Sequence, residues 1–240
     1  MQASSETSVR FYDTLWATER RVDQHHKCRI HAIARMLERV PPPADRERRL
    51  LELGCGSGMV AALLARYGAV TGIDQSEVGI AAARARTRGT FVVGMLPEIA
   101  LDEGDFDVCV MSQVIEHFAE ANQGLLLRNA ARKVKAAGHL IVTTPNRPVS
   151  SRMQFRPGEL QPIENWLEPA ALHELLRRTG WRPVSTRFAF NFLPVWASRD
   201  VWLRALRFAA YDVLRLRNPI EDALAHRGRG DCTVVLAEKG

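Results

Sequence analysis

Apolar positions along this chain follow two periods, and the change of period marks out the elements. From Val9 to about Val40 they recur every three to four residues: Phe11, Tyr12, Leu15 and Trp16, then Ile30, Ile33, Ala34 and Leu37. That predicts helix, and Pro41-Pro42-Pro43 stops it. Leu50, Leu51 and Leu53 then form a short apolar run, with glycines at 54, 56 and 58. The pattern returns to helix from Met59 to Tyr67 and to strand from Ala69 to Ile73. Helix is predicted from Ser76, a capping residue, to Arg88, and strand from Thr90 to Gly94. Phe106 to Met111 is uninterrupted and apolar, as a strand covered on both faces must be. SQVIEHF at 112–118 leads into a helix from Glu120 to Lys135, then a strand from His139 to Thr144 closed by Pro145 and Asn146. Ser150 to Trp166 has no period, and helix is predicted from Pro169 to Thr179, ended by Gly180. Two further strands, Arg182–Phe190 and Cys232–Glu238, flank an arginine-rich apolar stretch from Leu193 to Arg229. Residues 1–8 carry too few apolar side chains to predict order.

Strand alternating with helix implies an α/β fold with a mainly parallel sheet. At 240 residues a single domain over 1–240 is expected, with a helical cap at 9–43, a core at 49–145 and a helical insertion at 193–229. There is no apolar run of about 18 residues, so no spanning helix is predicted, and nothing at the N-terminus resembles a signal peptide. Four scattered cysteines, 28, 55, 109 and 232, have neither disulfide nor metal-ligand spacing. A reducing cytoplasm is the expectation. The net charge of +6 is spread along the chain without a dense basic patch, which argues against a nucleic-acid partner. His25, His26 and His31 have no carboxylate at ligand spacing and are expected on the solvated surface.

The chemistry is concentrated between Arg49 and Asp74. Gly54 lets the chain turn out of its strand, Gly56 keeps a side chain away from an approaching ligand, and Gly58 lets a helix pack closely. The following helix directs free N–H groups at the ligand. Asp74 stands twenty residues after Gly54, where a carboxylate can accept from both ribose hydroxyls. A dinucleotide fingerprint would need glycine at 59, which is Met59. LELGCGSG, with Asp74, instead resembles the E/D-x-G-x-G-x-G motif of the class I S-adenosylmethionine-dependent methyltransferases.

That resemblance implies a Rossmann-like, doubly wound, seven-stranded sheet of order 3-2-1-4-5-7-6 with an antiparallel last strand, and S-adenosyl-L-methionine as cofactor. It places Glu52, Gly54, Cys55, Gly56, Gly58, Asp74, Gln75, Met95, Leu96, Ser112 and Gln113 around the cofactor. Met95 stands where the family usually has an acid that binds adenine. Tyr12 and Trp16 become lid residues toward a substrate, with Asn146 at the mouth of the same crevice. His117 is the candidate catalytic base and substrate contact, and Glu116 beside it is expected to face elsewhere. The E-H pair resembles the E-x-x-E-H of quinone-biosynthesis O-methyltransferases, a metal-holding motif. Here its first acid is Gln113, so no metal is assigned.

No N/D-P-P-Y/F tetrapeptide follows the fourth strand, which points to a small-molecule acceptor, oxygen or nitrogen. The insertion reads as a packed helix with arginines outward, ahead of a membrane-facing helix, a dimer helix or a substrate cover. A nucleotide-dependent oxidoreductase and a non-catalytic binding protein are the competing readings.

Overall fold

The computed structural model describes residues 5–18, 23–151, 163–191 and 201–240. Seven strands form one sheet: β1 (Arg49–Leu53), β2 (Ala69–Asp74), β3 (Thr90–Val93), β4 (Phe106–Ser112), β5 (Val134–Pro145), β6 (Trp181–Ala189) and β7 (Cys232–Lys239). Their order is β3-β2-β1-β4-β5-β7-β6, and β7 runs antiparallel to both its neighbours. β1 sits at the centre, with Leu53 in register with Ile73 on one side and Met111 on the other. The order reverses at β1, so the crevice at the carboxyl ends of β1 and β4 is where ligands of such sheets bind.

The alternating side chains of the sheet divide into two apolar layers. Leu50, Val108, Val110, Ile141 and Val234 face α2 (Gln24–Leu37), α3 (Met59–Leu64) and α4 (Glu77–Arg86). Leu51, Leu53, Met111, Val142 and Val235 face α5 (Glu120–Lys133) and α7 (Pro169–Arg178). Both faces are covered, which is why β4 is buried at every position except its last. A one-turn helix, α6 (Arg147–Ser150), follows β5.

Several expectations are corrected. The N-terminal helical region is two helices, and α1 (Ser5–Thr18) begins inside the stretch expected to be disordered. α2 starts afresh because the Asp23 carboxylate accepts from the His26 N–H at 2.8 Å, capping a new N-terminus. β5 begins at Val134 rather than His139, so α5 ends two residues early. The three histidines are paired rather than solvated: His25 with Asp231 at 3.1 Å, His26 with Asp23 at 2.7 Å and His31 with Asp222 at 3.1 Å. Two of those carboxylates come from the far end of the chain, beyond the reach of local spacing.

The insertion departs furthest from expectation. It contains α8 (Val201–Phe208), one π-helical turn over Ala209–Val213 and α9 (Arg217–Leu224). Its apolar side chains face outward: Trp202 is 83% exposed, and Leu206, Phe208, Val213 and Leu214 are exposed with it. Its second half is anchored, by Asp212 to Gln24, by Asp222 to His31 and Arg187, and by Glu221. That buried carboxylate accepts from the Tyr211 hydroxyl at 2.8 Å and the Asn191 amide at 2.9 Å. Residues 192–200 of the insertion, and 152–162 of the aperiodic stretch expected at 150–166, lie outside the described residues.

Candidate active site

The loop after β1 turns through three left-handed glycines, Gly54 (φ 71°), Gly56 (φ 47°) and Gly58 (φ 77°). Such backbone strains any L side chain, which explains glycine at all three places. A Cβ on Gly54 would stand 2.6 Å from Val114, and one on Gly58 2.8 Å from the backbone of Ala83 in α4. The third glycine therefore serves close helix packing, as expected, though against α4. The second is different. A Cβ on Gly56 would enter the indole of Trp16, so this direction is closed by α1 rather than open to a ligand.

Asp74 ends β2 beside this loop. One of its oxygens accepts from the Gly56 N–H at 2.8 Å and the other from the Ser76 N–H at 2.9 Å. Each carboxylate oxygen has a second lone pair, so a carboxylate held this way from behind can still receive two hydroxyls. Burial pushes its carboxyl up, and the two N–H groups pull it back. Glu52 is buried one pleat below, with one oxygen unpartnered. Burial, then the Asp74 charge, raises it well above the usual range, with Arg29 acting in the opposite sense. Left-handed glycines, a double acceptor at a helix N-terminus and a buried acid below them suit an adenosine-bearing group with a diol.

α1 closes over this cradle. The Gln75 amide donates to Ser8 Oγ at 3.1 Å, the Ser76 hydroxyl donates to Asp13 Oδ1 at 2.5 Å, and Trp16 lies against Gly56 and Gly79. The Trp16 contact is with the glycine loop. Tyr12, one turn earlier, reaches across: its ring lies 6.3 Å from that of His117. Burial raises the Tyr12 hydroxyl above its ordinary range, followed by the charges of Glu116, Asp74 and Glu164 in that order. Tyr12 thus stands among carboxylates from three parts of the chain.

The acceptor side lies at the end of β4. Gln113 is left-handed (φ 59°), uncommon for glutamine, and its N–H is held by the Thr143 carbonyl at 3.1 Å. The Ser112 hydroxyl is buried without a partner. Residues 115–117 form a single 3-10 turn instead of the expected start of an α-helix. His117 Nδ1 lies 3.0 Å from the Ile163 carbonyl. A carbonyl only accepts, so Nδ1 carries the proton and the lone pair of the neutral ring is on Nε2.

The tighter turn swings Glu116 inward, correcting the expectation that it faces elsewhere. Glu116 is only 1% exposed, and its Oε2 has no partner. The Thr144 hydroxyl lies near it without forming an aligned hydrogen bond. Burial, the largest influence, pushes this carboxyl up to about 7, His117 lowers it, and Glu164 raises it further. Sequence reading missed Glu116, although an acid within the apolar run SQVIEHF at the end of a buried strand was the available signal.

The remaining expected residues are more dispersed. Met95 is exposed and Leu96 half-buried at the end of β3, flanking the Asp74 side of the crevice. The buried Asn146 spends its amide nitrogen on the Gly230 carbonyl, 2.8 Å away, which fastens the return loop before β7. Cys55 is buried, with its thiol raised chiefly by burial. Among the described residues, no cluster of three or more His, Cys, Asp or Glu side chains is placed to hold a metal.

The family model described as a methyltransferase domain matches residues 24–186, well over half of the chain. A probable S-adenosylmethionine-dependent methyltransferase of Mycolicibacterium smegmatis is 35% identical over 150 residues, 60% of this chain and 56% of the relative. A ubiquinone biosynthesis O-methyltransferase of Azorhizobium caulinodans is 39% identical over 110 residues, 43% of this chain and 42% of the relative. The matches thus span about half the length of these curated relatives. In fold, the chain superposes on the magnesium protoporphyrin IX methyltransferase of Synechocystis PCC 6803, solved with bound S-adenosylmethionine. The TM-score is 0.62 at 12% identity, covering 100% of this chain and 99% of that one. With the methyltransferase-domain model matched over residues 24–186 and S-adenosylmethionine-dependent methyltransferases among its relatives, the chain belongs to the class I S-adenosylmethionine-dependent methyltransferases.

Proposed function

We propose that this enzyme moves a methyl group from S-adenosylmethionine to an oxygen or nitrogen of a small molecule. The observation that carries the reading is the pairing of two half-sites at the carboxyl end of the sheet. The glycine loop and Asp74 form one, and the His117–Glu116 turn under Tyr12 forms the other. Gly54, Gly56, Asp74 and Gln75 would hold the adenosine part, Met95 and Leu96 the adenine edge, and Ser112 and Gln113 the methionyl end. The cofactor supplies an electrophilic methyl on a sulfonium, itself a good leaving group. The chain's own task is then to hold an acceptor in line, exclude water and take a proton.

His117 Nε2 is one proton acceptor within that geometry, and Tyr12 and the half-buried His117 ring would wall the acceptor. Relatives named as ubiquinone biosynthesis O-methyltransferases keep oxygen among the acceptor atoms, beside nitrogen. The size of the molecule is supported by α1, which packs on α4 beside the crevice and bonds Gln75 there. A screen against phenols, quinone precursors, amino sugars and heterocycles, read as S-adenosylhomocysteine released, tests the reading. Turnover with at least one small acceptor is expected, and S-adenosylmethionine binding without turnover on any would return the chain to the non-catalytic alternative. NAD(P)H binding in place of S-adenosylmethionine would favour the oxidoreductase alternative.

The single-domain division, cytoplasmic location and a homodimer belong to the same proposal. No described helix is long and apolar enough to cross a membrane. The outward apolar face of α8 is where a second copy would pack, and a monomeric sedimentation coefficient would remove that element of it.

A further inference from the structure

Glu116 is an expensive residue to place where it lies. Its carboxyl is 1% exposed on a turn locked at both ends: the His117 ring bonds the Ile163 carbonyl, and the Glu116 carbonyl accepts from the Asn165 N–H at 2.8 Å. One carboxyl oxygen has no hydrogen-bond partner. Buried carboxylates are normally paired or multiply hydrogen-bonded, because an uncompensated one costs several kcal/mol, roughly. Among the described residues acting on this carboxyl, His117 is the one that can carry positive charge, and Glu164, which accepts from the Trp166 indole N–H, adds a second negative one.

The same two glutamates, with Asp74, act on the Tyr12 hydroxyl above them. Asp74 is assigned to the ribose diol, so Glu116 and Glu164 remain on the acceptor side. A neutral hydroxyl would offer this site one hydrogen bond and no compensating charge. An anionic acceptor would be repelled. A cation supplies both the missing partner and the missing charge.

We propose that the methyl acceptor is an amine that enters as its ammonium ion, pairs with the unpartnered oxygen of Glu116 and gives that carboxylate its proton. The inference rests on the methyltransferase reading and narrows it. The N–H bond breaks as the proton passes to Glu116. The freed nitrogen lone pair then forms the new N–C bond while the methyl–sulfur bond breaks, its electron pair staying on sulfur. The products are the N-methylammonium ion and S-adenosylhomocysteine. The new ammonium leaves with its charge, and Glu116 releases to solvent the proton it took. His117, fixed by Ile163, positions the turn that carries Glu116.

The test combines a panel of acceptors with Glu116→Gln and Glu116→Asp variants. Calorimetry with S-adenosylmethionine serves as the control for folding and for the cofactor half-site. Primary and secondary arylalkylamines should support turnover while the matched phenols and carboxylates do not. Glu116→Gln should lower kcat/KM for the amine by about a hundredfold with cofactor affinity retained. Glu116→Asp, which keeps the charge but draws it back, should fall between the two. Methylation of phenols in preference to amines overturns the proposal, as does a Glu116→Gln variant with wild-type kcat/KM. Loss of cofactor binding in both variants, with the wild type binding normally, would make Glu116 structural and overturn it too. Failure of the wild type itself to bind S-adenosylmethionine would instead strike the reading beneath it.

Discussion

Asp74 makes the cofactor claim measurable. Its two oxygens are held by the Gly56 and Ser76 N–H groups and keep lone pairs for a diol. Asp74→Ala removes a charged acceptor from two hydroxyls and should weaken S-adenosylmethionine binding by about 1–3 kcal/mol. Calorimetry giving an unchanged Kd would remove the ribose contact. Gly56 makes a second, independent claim. Gly56→Ala adds a methyl both at a left-handed position and into the Trp16 ring. It should cost about 1–3 kcal/mol in denaturant unfolding. Pairing it with Trp16→Ala should recover the steric part of that loss and leave the backbone part. Equal losses in the single and double variants would show that the indole is not what Gly56 accommodates.

Among the elements, α1 docks on α4 and the glycine loop. Ser8, Asp13 and Trp16 attach it to Gln75, Ser76 and the glycine loop. Trp16→Ala should therefore raise amide hydrogen exchange across Ser5–Thr18 while the strands keep their protection. Unchanged exchange in that helix would mean its docking rests elsewhere. The turn at Ile115–His117 carries the opposite lesson. A three-residue 3-10 turn sets its side chains 120° apart, and this sends Glu116 into the interior while His117 stays half-buried. An α-helical count from the sequence puts the two residues the other way round.

For the folded chain, the amino-terminal edge of the sheet sets the response to acid. Asp107 is buried at the start of β4 and accepts from Arg46 at 2.7 and 2.8 Å and from the Arg49 N–H at 2.8 Å, with Lys135 also paired to it. Although burial alone would raise its carboxyl, these donors together hold it down at about 2. A carboxyl lowered on folding stabilises the protein above its unfolded value and loses that contribution as pH falls from about 4 to about 2. Arg46 and Lys135 are partly exposed, so screening limits the contribution to about 1–2 kcal/mol. Asp107→Asn should flatten the acid limb of a stability–pH curve between those values and leave its slope above pH 5 unchanged. An identical acid limb in the variant would assign the transition to other groups.

The chain's local chemistry determined a good deal without help from packing. Alternating strand and helix periods, three glycines at fixed spacing and an acid twenty residues on defined β1, β2 and the cradle between them. Each of those is a short-range constraint on backbone angle or side-chain direction, which is why it can be seen in the sequence. What only packing could establish is which distant groups meet. Asp222 and Asp231 reach back to His31 and His25, the α1 indole lands on Gly56, and the α8 side chains remain outside. The same holds for Glu116. Its burial follows from the turn that carries it and from the Ile163–Asn165 segment laid against that turn, and no periodicity within SQVIEHF encodes a contact made nearly fifty residues away.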